Sequence, residues 1–195
     1  MKAKIGINGL GRIGRMVLRS IFEEKHKGLK VNHINNRADI RTAYDLIKRD
    51  SIHGKFKAKI SIEKNKLMIN GNKITYSQEN NLSSIPWKKY NVDMVFECTG
   101  KFNSKDKLIS HIKNGAKKVI VSAPCKSADK TIVYGVNHKN ISKKDKIISA
   151  ASCSTNCLAP VVYVLNNNFE IEKGFMTTIH SYTTDQRMLD NSHKD

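Results

Sequence analysis

The sequence predicts an α/β protein: a mostly parallel sheet with helices packed on it, carrying a small antiparallel insertion and leading into the start of an incomplete α+β domain. Three observations point there. Short apolar runs alternate with segments of helical period along most of the chain. A glycine-rich turn, "NGLGRIG", joins the first run to the first helical segment. An alternating stretch around Asn70-Gly71 holds a dipeptide that favours a tight hairpin.

In order, "AKIGING" reads as a buried strand, and "RIGRMVLRSIFEE" as a helix with Ile13, Val17 and Ile21 at helical spacing. "LKVNHIN" is a second strand and "IRTAYDLIKRD" a short helix. "KAKISIEKNKLMINGNKITYS" alternates in the manner of antiparallel strands. "VDMVFECTG" is a third buried strand, followed by the helix "SKDKLISHIKNGA", which stops near Gly115. "KKVIVSAP" and "TIVYGV" supply a fourth and a fifth strand. After "DKIISAAS" a helix is expected from Cys153 to Leu165, and then a strand in "GFMTTIHSY". The division expected is a first domain over 1–151 and the beginning of a second over 152–195.

Gly9, Gly11 and Gly14 form G-x-G-x-x-G directly after a strand and directly before a helix. The first glycine permits a tight turn, the second lets backbone approach a pyrophosphate, and the third lets helix and strand pack closely. Backbone N–H groups near Arg12 and Ile13 then point at phosphate from the positive end of the helix. Residues 1–151 therefore read as a Rossmann-type dinucleotide-binding domain. The same rule expects a carboxylate at the tip of the second strand to hold the adenosine ribose. The sequence there is "HINNRAD", with Asn35, Asn36 and Arg37 at the tip and Asp39 only later. Losing a negative charge and gaining an arginine suits a 2′-phosphate, so the coenzyme expected is NAD or NADP, with NADP accepted.

Composition sets bounds on the rest. Hydrophobic residues at 39% and charged residues at 27% are ordinary for a soluble globular protein, and no segment is long and apolar enough to span a bilayer. "MKAKIGINGLGRIGR" lacks the apolar core of a secretory signal, so a cytoplasmic location is expected, with free thiols rather than a disulfide framework. The formal charge of +18 comes from lysines in ones and twos, which reads as solvated faces rather than a nucleic-acid patch, with a non-catalytic dinucleotide- or nucleic-acid-binding protein as the alternative.

"SAASCSTNCLAP" holds Cys153 and Cys157 four residues apart. Cys153 falls where a strand gives way to a helix, and a thiol at a helix N-terminus is shifted toward the thiolate. His180, among Thr177, Thr178, Ser181, Thr183 and Thr184, is a candidate base. No further Cys/His pair has zinc-site spacing, so no metal site is expected. From these residues alone a reactive thiol and an inert buried one both stay open.

Together, "INGLGRIGR", "DSIHG", "ECTG", "SAASCSTNCLAP" and "HSYTTDQ" closely resemble the phosphorylating glyceraldehyde-3-phosphate dehydrogenases, in the same order along the whole chain. The resemblance implies that Cys153 attacks the aldehyde of glyceraldehyde 3-phosphate and that His180 activates the thiol. Hydride passes to the nicotinamide, and inorganic phosphate releases the thioacyl enzyme. It implies substrate- or phosphate-binding roles for Ser152, Ser154 and Thr183. It also implies backbone contacts of Arg12 and Ile13 to the coenzyme, and a nicotinamide-side cleft lined by Thr99, Gly100 and Ser122. Cys157 becomes a packed helix residue, and a homotetramer is implied. Erythrose-4-phosphate dehydrogenases share the same cysteine and histidine.

Three departures stand out. The family's strand-end Asp is Asn36 here, and the "RDP" that often precedes the residue matching Trp87 is absent from "ENNLSSIPW". Asn191-Ser192 stands where NAD-specific relatives have Leu-Pro and chloroplast-type relatives Ala-Ser, which makes Ser192 a second pointer to NADP. The resemblance covers little more than the first half of a family member. The expectation is a fragment with little dehydrogenase activity of its own.

Overall fold

A computed structural model describes residues 2–24 and 26–181. The elements in chain order are β1 (Ala3–Asn8), α1 (Arg12–Glu23), β2 (Leu29–Asn35), α2 (Ile40–Lys48), the two-residue strands β3 (Arg49–Asp50) and β4 (Gly54–Lys55), and β5 (Ile60–Glu63), β6 (Lys66–Ile69) and β7 (Asn72–Ser77). They continue with β8 (Met94–Glu97), α3 (Lys105–Lys113), β9 (Lys118–Val121), β10 (Lys130–Thr131), β11 (Ile147–Ser149) and α4 (Cys153–Phe169). Nine strands form one sheet in the order β10-β11-β9-β8-β1-β2-β7-β6-β5. The pairs from β10 to β7 are parallel, and β7-β6-β5 is an antiparallel meander.

The order follows from the residue pattern. Strand β1 at the sheet's centre is buried on both faces, as an almost continuous apolar run should be. Ile5, Ile7, Ile34, Leu18 and Ile47 build one core against α1 and α2. Val95, Val119, Leu108 and Trp87 build the other against α3. The meander turns at Lys64-Asn65 and at Asn70-Gly71, where left-handed backbone occurs at all four residues, the conformation tight hairpins demand.

Four expectations are corrected. "TIVYGV" pairs only at Thr131, because Val133 donates to the Asn137 side chain at 2.8 Å and Val136 to the Val133 carbonyl at 3.1 Å. The resulting turn takes the backbone groups a ladder needs, and the neighbour on the sheet is β11, from "DKIISAAS". In "GFMTTIHSY", Gly174–Ser181 forms no strand among the described residues, and Phe175, Met176 and Ile179 are exposed rather than paired against a sheet. Helix α4 runs on past Leu165 to Phe169 with Pro160 inside it, and Cys157 is exposed instead of packed.

The chain divides into two compact units between Val161 and Val162. The first carries the whole sheet. The second contributes the end of α4 and, among the described residues, a stretch to Ser181 without helix or strand. Among the described residues no helix is long and apolar enough to cross a membrane.

Candidate active site

The carboxyl ends of parallel strands form the natural crevice of such a sheet. Here β1 runs into the glycine turn. Gly9 has φ +91°, and a Cβ on it would lie 2.8 Å from the Thr99 methyl. A Cβ on Gly14 would lie 1.9 Å from the Gly9 carbonyl oxygen, so α1 sits as close to the strand as backbone allows. A Cβ on Gly11 meets nothing within 4 Å; the space before it is open. Gly11 is also the N-cap of α1, with no side-chain cap and no acidic residue in the first turn. Backbone N–H groups of Arg12 and Ile13 therefore begin a helix whose positive end faces an open cradle, the arrangement that suits a pyrophosphate.

Beside this turn lies the tip of β2, which pairs with β1. Asn36 accepts from the Leu10 N–H at 3.0 Å and donates to the Tyr76 hydroxyl at 3.2 Å, which in turn donates to the Ala38 carbonyl. Arg37 is exposed. Asp39 is committed to capping α2: it accepts from the Thr42 hydroxyl and from the N–H groups of Thr42 and Arg41, which lower its pKa. The strand tip thus carries an amide and a guanidinium but no carboxylate.

On the other side, Thr99 gives both its N–H and its hydroxyl to the Glu97 carboxylate. Gly100 has φ +71°, and the Ser122 N–H donates to the Glu97 carbonyl at 3.0 Å. Cys98 between them is buried, and that burial pushes its thiol up to about 12 against the opposing Ser122 hydrogen bond. It is inert.

"DSIHG" acquires a role. Asp50 accepts from the His53 N–H, the His53 ring and the Ile52 N–H. Its carboxylate also lies 3.4 Å from the Arg12 guanidinium. The His53 backbone contact first, then the His53 ring, Ile52 and Arg12, hold its carboxyl well below the usual range. The Arg12 side chain is thereby engaged with Asp50, while its backbone N–H begins the helix.

At the far end of the sheet, β11 passes into α4. Ser149 donates to the Ala123 carbonyl at 2.8 Å and accepts from the Ala151 N–H. Ala151 adopts φ +61°, an unusual conformation for a residue with a side chain, and this sharp turn makes Cys153 the first residue of the helix. Ser152 caps the helix by accepting from the Thr155 N–H at 3.0 Å, and Asn156 ties down the carbonyls of Ala150 and Ser152. Cys153 and Cys157 are exposed, Ser154 half-buried, and no disulfide joins any of the four cysteines.

The structure thus gathers Gly9, Gly11, Gly14, Asn36 and Thr99 at one edge of the sheet, and Cys153 with Ser152 and Ser154 on the first turn of α4. His180 belongs to the second unit, exposed, with its Nδ1 at the Ser181 carbonyl. Thr183 and Ser192 lie outside the described residues. No cluster of three or more His, Cys, Asp or Glu suits a metal among those described. Sequence reasoning missed a shallow cavity between Phe102, Lys107 and Asn81, and a buried polar row through Asn8, Asn35 and Glu97. The row carries no local signal: its members close separate strands, and β2 holds Lys30, Asn32 and His33 before Asn35.

Comparison with known proteins places the chain by its domains. Residues 3–105 match the NAD binding domain of glyceraldehyde 3-phosphate dehydrogenase, and residues 152–195 match the C-terminal domain of the same family. A glyceraldehyde-3-phosphate dehydrogenase of Zymomonas mobilis is 47% identical across the whole chain, which covers 58% of that protein. Glyceraldehyde-3-phosphate dehydrogenase 2 of Bacillus subtilis is 48% identical over the whole chain and 57% of its own length. The Thermotoga maritima enzyme is 46% identical over 99% of the chain and 58% of its own length. The chain spans a little over half the length of these relatives.

Proposed function

The chain belongs to the glyceraldehyde-3-phosphate dehydrogenase family, and we propose that it carries the coenzyme crevice and the nucleophile for oxidising glyceraldehyde 3-phosphate to its acyl phosphate. The observation that carries this reading is the exposed Cys153 thiol on the first turn of α4, at the end of a sheet whose glycine turn leaves open space before Gly11.

The chemistry follows from the residues. The helix N-terminus favours the Cys153 thiolate, which attacks the aldehyde carbon and forms the C–S bond. The carbonyl π pair moves to oxygen, which takes a proton, and His180 is the base assigned to activating the thiol and to removing that proton as the carbon is oxidised. The Ser152 and Ser154 hydroxyls, with Thr183, are assigned to the phosphate groups of the substrate and of the attacking phosphate. A bound nicotinamide supplies the two-electron acceptor. When inorganic phosphate attacks the thioacyl carbon, Cys153 is the leaving group and returns as thiolate.

Gly9, Gly11, Gly14 and the backbone of Arg12 and Ile13 would hold the pyrophosphate. Thr99, Gly100 and Ser122 would wall the nicotinamide side. Asn36 and Arg37, with Ser192 beyond the described residues, favour acceptance of NADP beside NAD. We place the start of the catalytic domain at Ser152, and take a homotetramer in the cytoplasm as the working form of the whole protein.

The test traps one event and needs no turnover. The chain is incubated with glyceraldehyde 3-phosphate and NAD or NADP without phosphate, then digested for peptide mass spectrometry. An acyl adduct on Cys153, absent in Cys153→Ser, is expected. A chain that binds coenzyme yet never acylates Cys153 contradicts the assignment.

A further inference from the structure

Glu97, Asn8, Asn35 and Ser77 are the last residues of β8, β1, β2 and β7, four adjacent parallel strands. They stand opposite one another in register: Asn8 pairs with Glu97 and with Asn35, and Asn35 with Ser77. Their side chains are joined across the carboxyl edge of the sheet. Asn8 Nδ2 donates to Glu97 Oε2 at 2.6 Å, Asn35 Nδ2 donates to Asn8 Oδ1 at 2.8 Å, and Ser77 Oγ donates to Asn35 Oδ1 at 2.7 Å. The far end continues to His33, which burial pushes down to about 4 and so keeps neutral. The near end continues to His111 and Trp87, both fully buried.

The direction of every hydrogen in this row is set from one end. Trp87 Nε1–H can only donate, so His111 Nδ1 accepts it at 2.9 Å and the His111 ring proton lies on Nε2, 3.0 Å from Glu97 Oε2. Glu97 also takes the Thr99 N–H at 2.8 Å and the Thr99 hydroxyl. Four donors meet one carboxylate that is 1% exposed, which saturates its acceptor sites. Because that group only accepts, Asn8 must turn its NH2 toward it, and Asn35 must then turn its own NH2 toward Asn8. Asn35 Oδ1 is left to receive the Glu79 N–H at 2.8 Å, on the adenosine side of the crevice.

We propose that Glu97 is a positioning residue for the coenzyme: through this row it holds the Thr99–Gly100 wall and the Asn36–Glu79 wall in one mutual arrangement. The inference rests on the coenzyme reading of the crevice given above. Glu97 lies beneath the surface and acts through Thr99, Asn8 and Asn35. The row reports on itself, because Trp87 is the chain's one tryptophan and its indole N–H stands at the row's end.

The test uses the isotopically labelled 195-residue chain as wild type and as Glu97→Gln. Glutamine has the same shape but places a hydrogen where four donors already point. Without coenzyme, E97Q is expected to shift the Trp87 indole N–H resonance, the Thr99 and Gly100 amides, and the Glu79 amide across the crevice. NAD affinity of the folded E97Q chain should fall by about tenfold. A role in stability alone would lower the melting temperature and leave the affinity of the folded chain unchanged, and that result overturns the proposal. So does a Glu79 amide that stays in place.

Wild type that binds neither NAD nor NADP defeats the coenzyme reading and this inference with it. That failure is told apart because the E97Q shifts would persist without any ligand effect. Should E97Q not fold, Trp87→Phe keeps one aromatic ring and removes one donor at the buried end. The Thr99 amide should then move and NAD bind about threefold more weakly. An unmoved Thr99 amide, or unchanged affinity, overturns the proposal as well.

Discussion

Cys153 and Cys157 have the same side chain, sit on the same helix and are both exposed, yet only Cys153 occupies its first turn. The helix field acts within that turn, so it reaches Cys153 and fades before Cys157. Iodoacetamide near neutral pH should modify Cys153 about tenfold faster than Cys157, as read by peptide mass spectrometry, while buried Cys98 and Cys125 stay unmodified in the folded chain. Equal rates at Cys153 and Cys157 would remove the electrostatic basis for the nucleophile. The proposed acceptance of NADP is tested at one residue. Asn36→Asp keeps the acceptor for the Leu10 N–H but sets a negative charge at the strand tip. Repulsion of a 2′-phosphate there should weaken NADP by about tenfold and leave NAD equal or tighter, measured by calorimetric titration. Unchanged NADP affinity would show that Arg37 and Asn36 do not read that phosphate.

Among the elements, β11 depends on an anchor outside the sheet. Asp129 accepts from the Lys105 ammonium and from the N–H groups of Ile147 and Lys146, clamping the start of the strand that feeds α4. The Lys105 contact first, then the Ile147 and Lys146 N–H groups, lower its carboxyl to about 2. A depressed folded-state pKa contributes stability that is present above the ordinary value of 3.8 and is lost as the pH falls through about 2. Melts at decreasing pH should show this contribution, about 1 kcal/mol after solvent screening, disappearing across that window. Asp129→Asn should flatten the slope there; an unchanged slope would mean the clamp is not formed. Elements also divide by how readily the sequence declares them. The Gly9 turn, α1 and the Asn70-Gly71 hairpin are legible because each is dictated by residues next to one another. "TIVYGV" misleads because its apolar residues suit a strand, while Asn137 and Gly135 close a turn that periodicity does not register. "GFMTTIHSY" misleads for another reason: a strand is a relation to a partner, and no local pattern supplies one.

Across the molecule, the doubly wound sheet and its glycine crevice were readable from alternation and spacing. The polar row beneath them was not. Asn8, Asn35, Ser77 and Glu97 come from four strands far apart in sequence, and only the sheet order makes them neighbours. Asn36 and Cys153 could be named from sequence, but their hydrogen-bond partners, Leu10 and Tyr76 for one and the Ser152 cap beside the other, are products of the fold. What unites these parts is a crevice shaped for a dinucleotide, and Gly11 isolates that function from folding. Its φ is −64°, which any residue adopts, and a side chain there meets only open space. The decisive measurement is therefore calorimetric titration of NAD and NADP into wild type and Gly11→Val, beside their thermal melts. Retained stability, within about 1 kcal/mol, with coenzyme binding abolished is the result expected of a pyrophosphate cradle. Full coenzyme affinity in a chain carrying the valine would show that the dinucleotide does not bind at this turn.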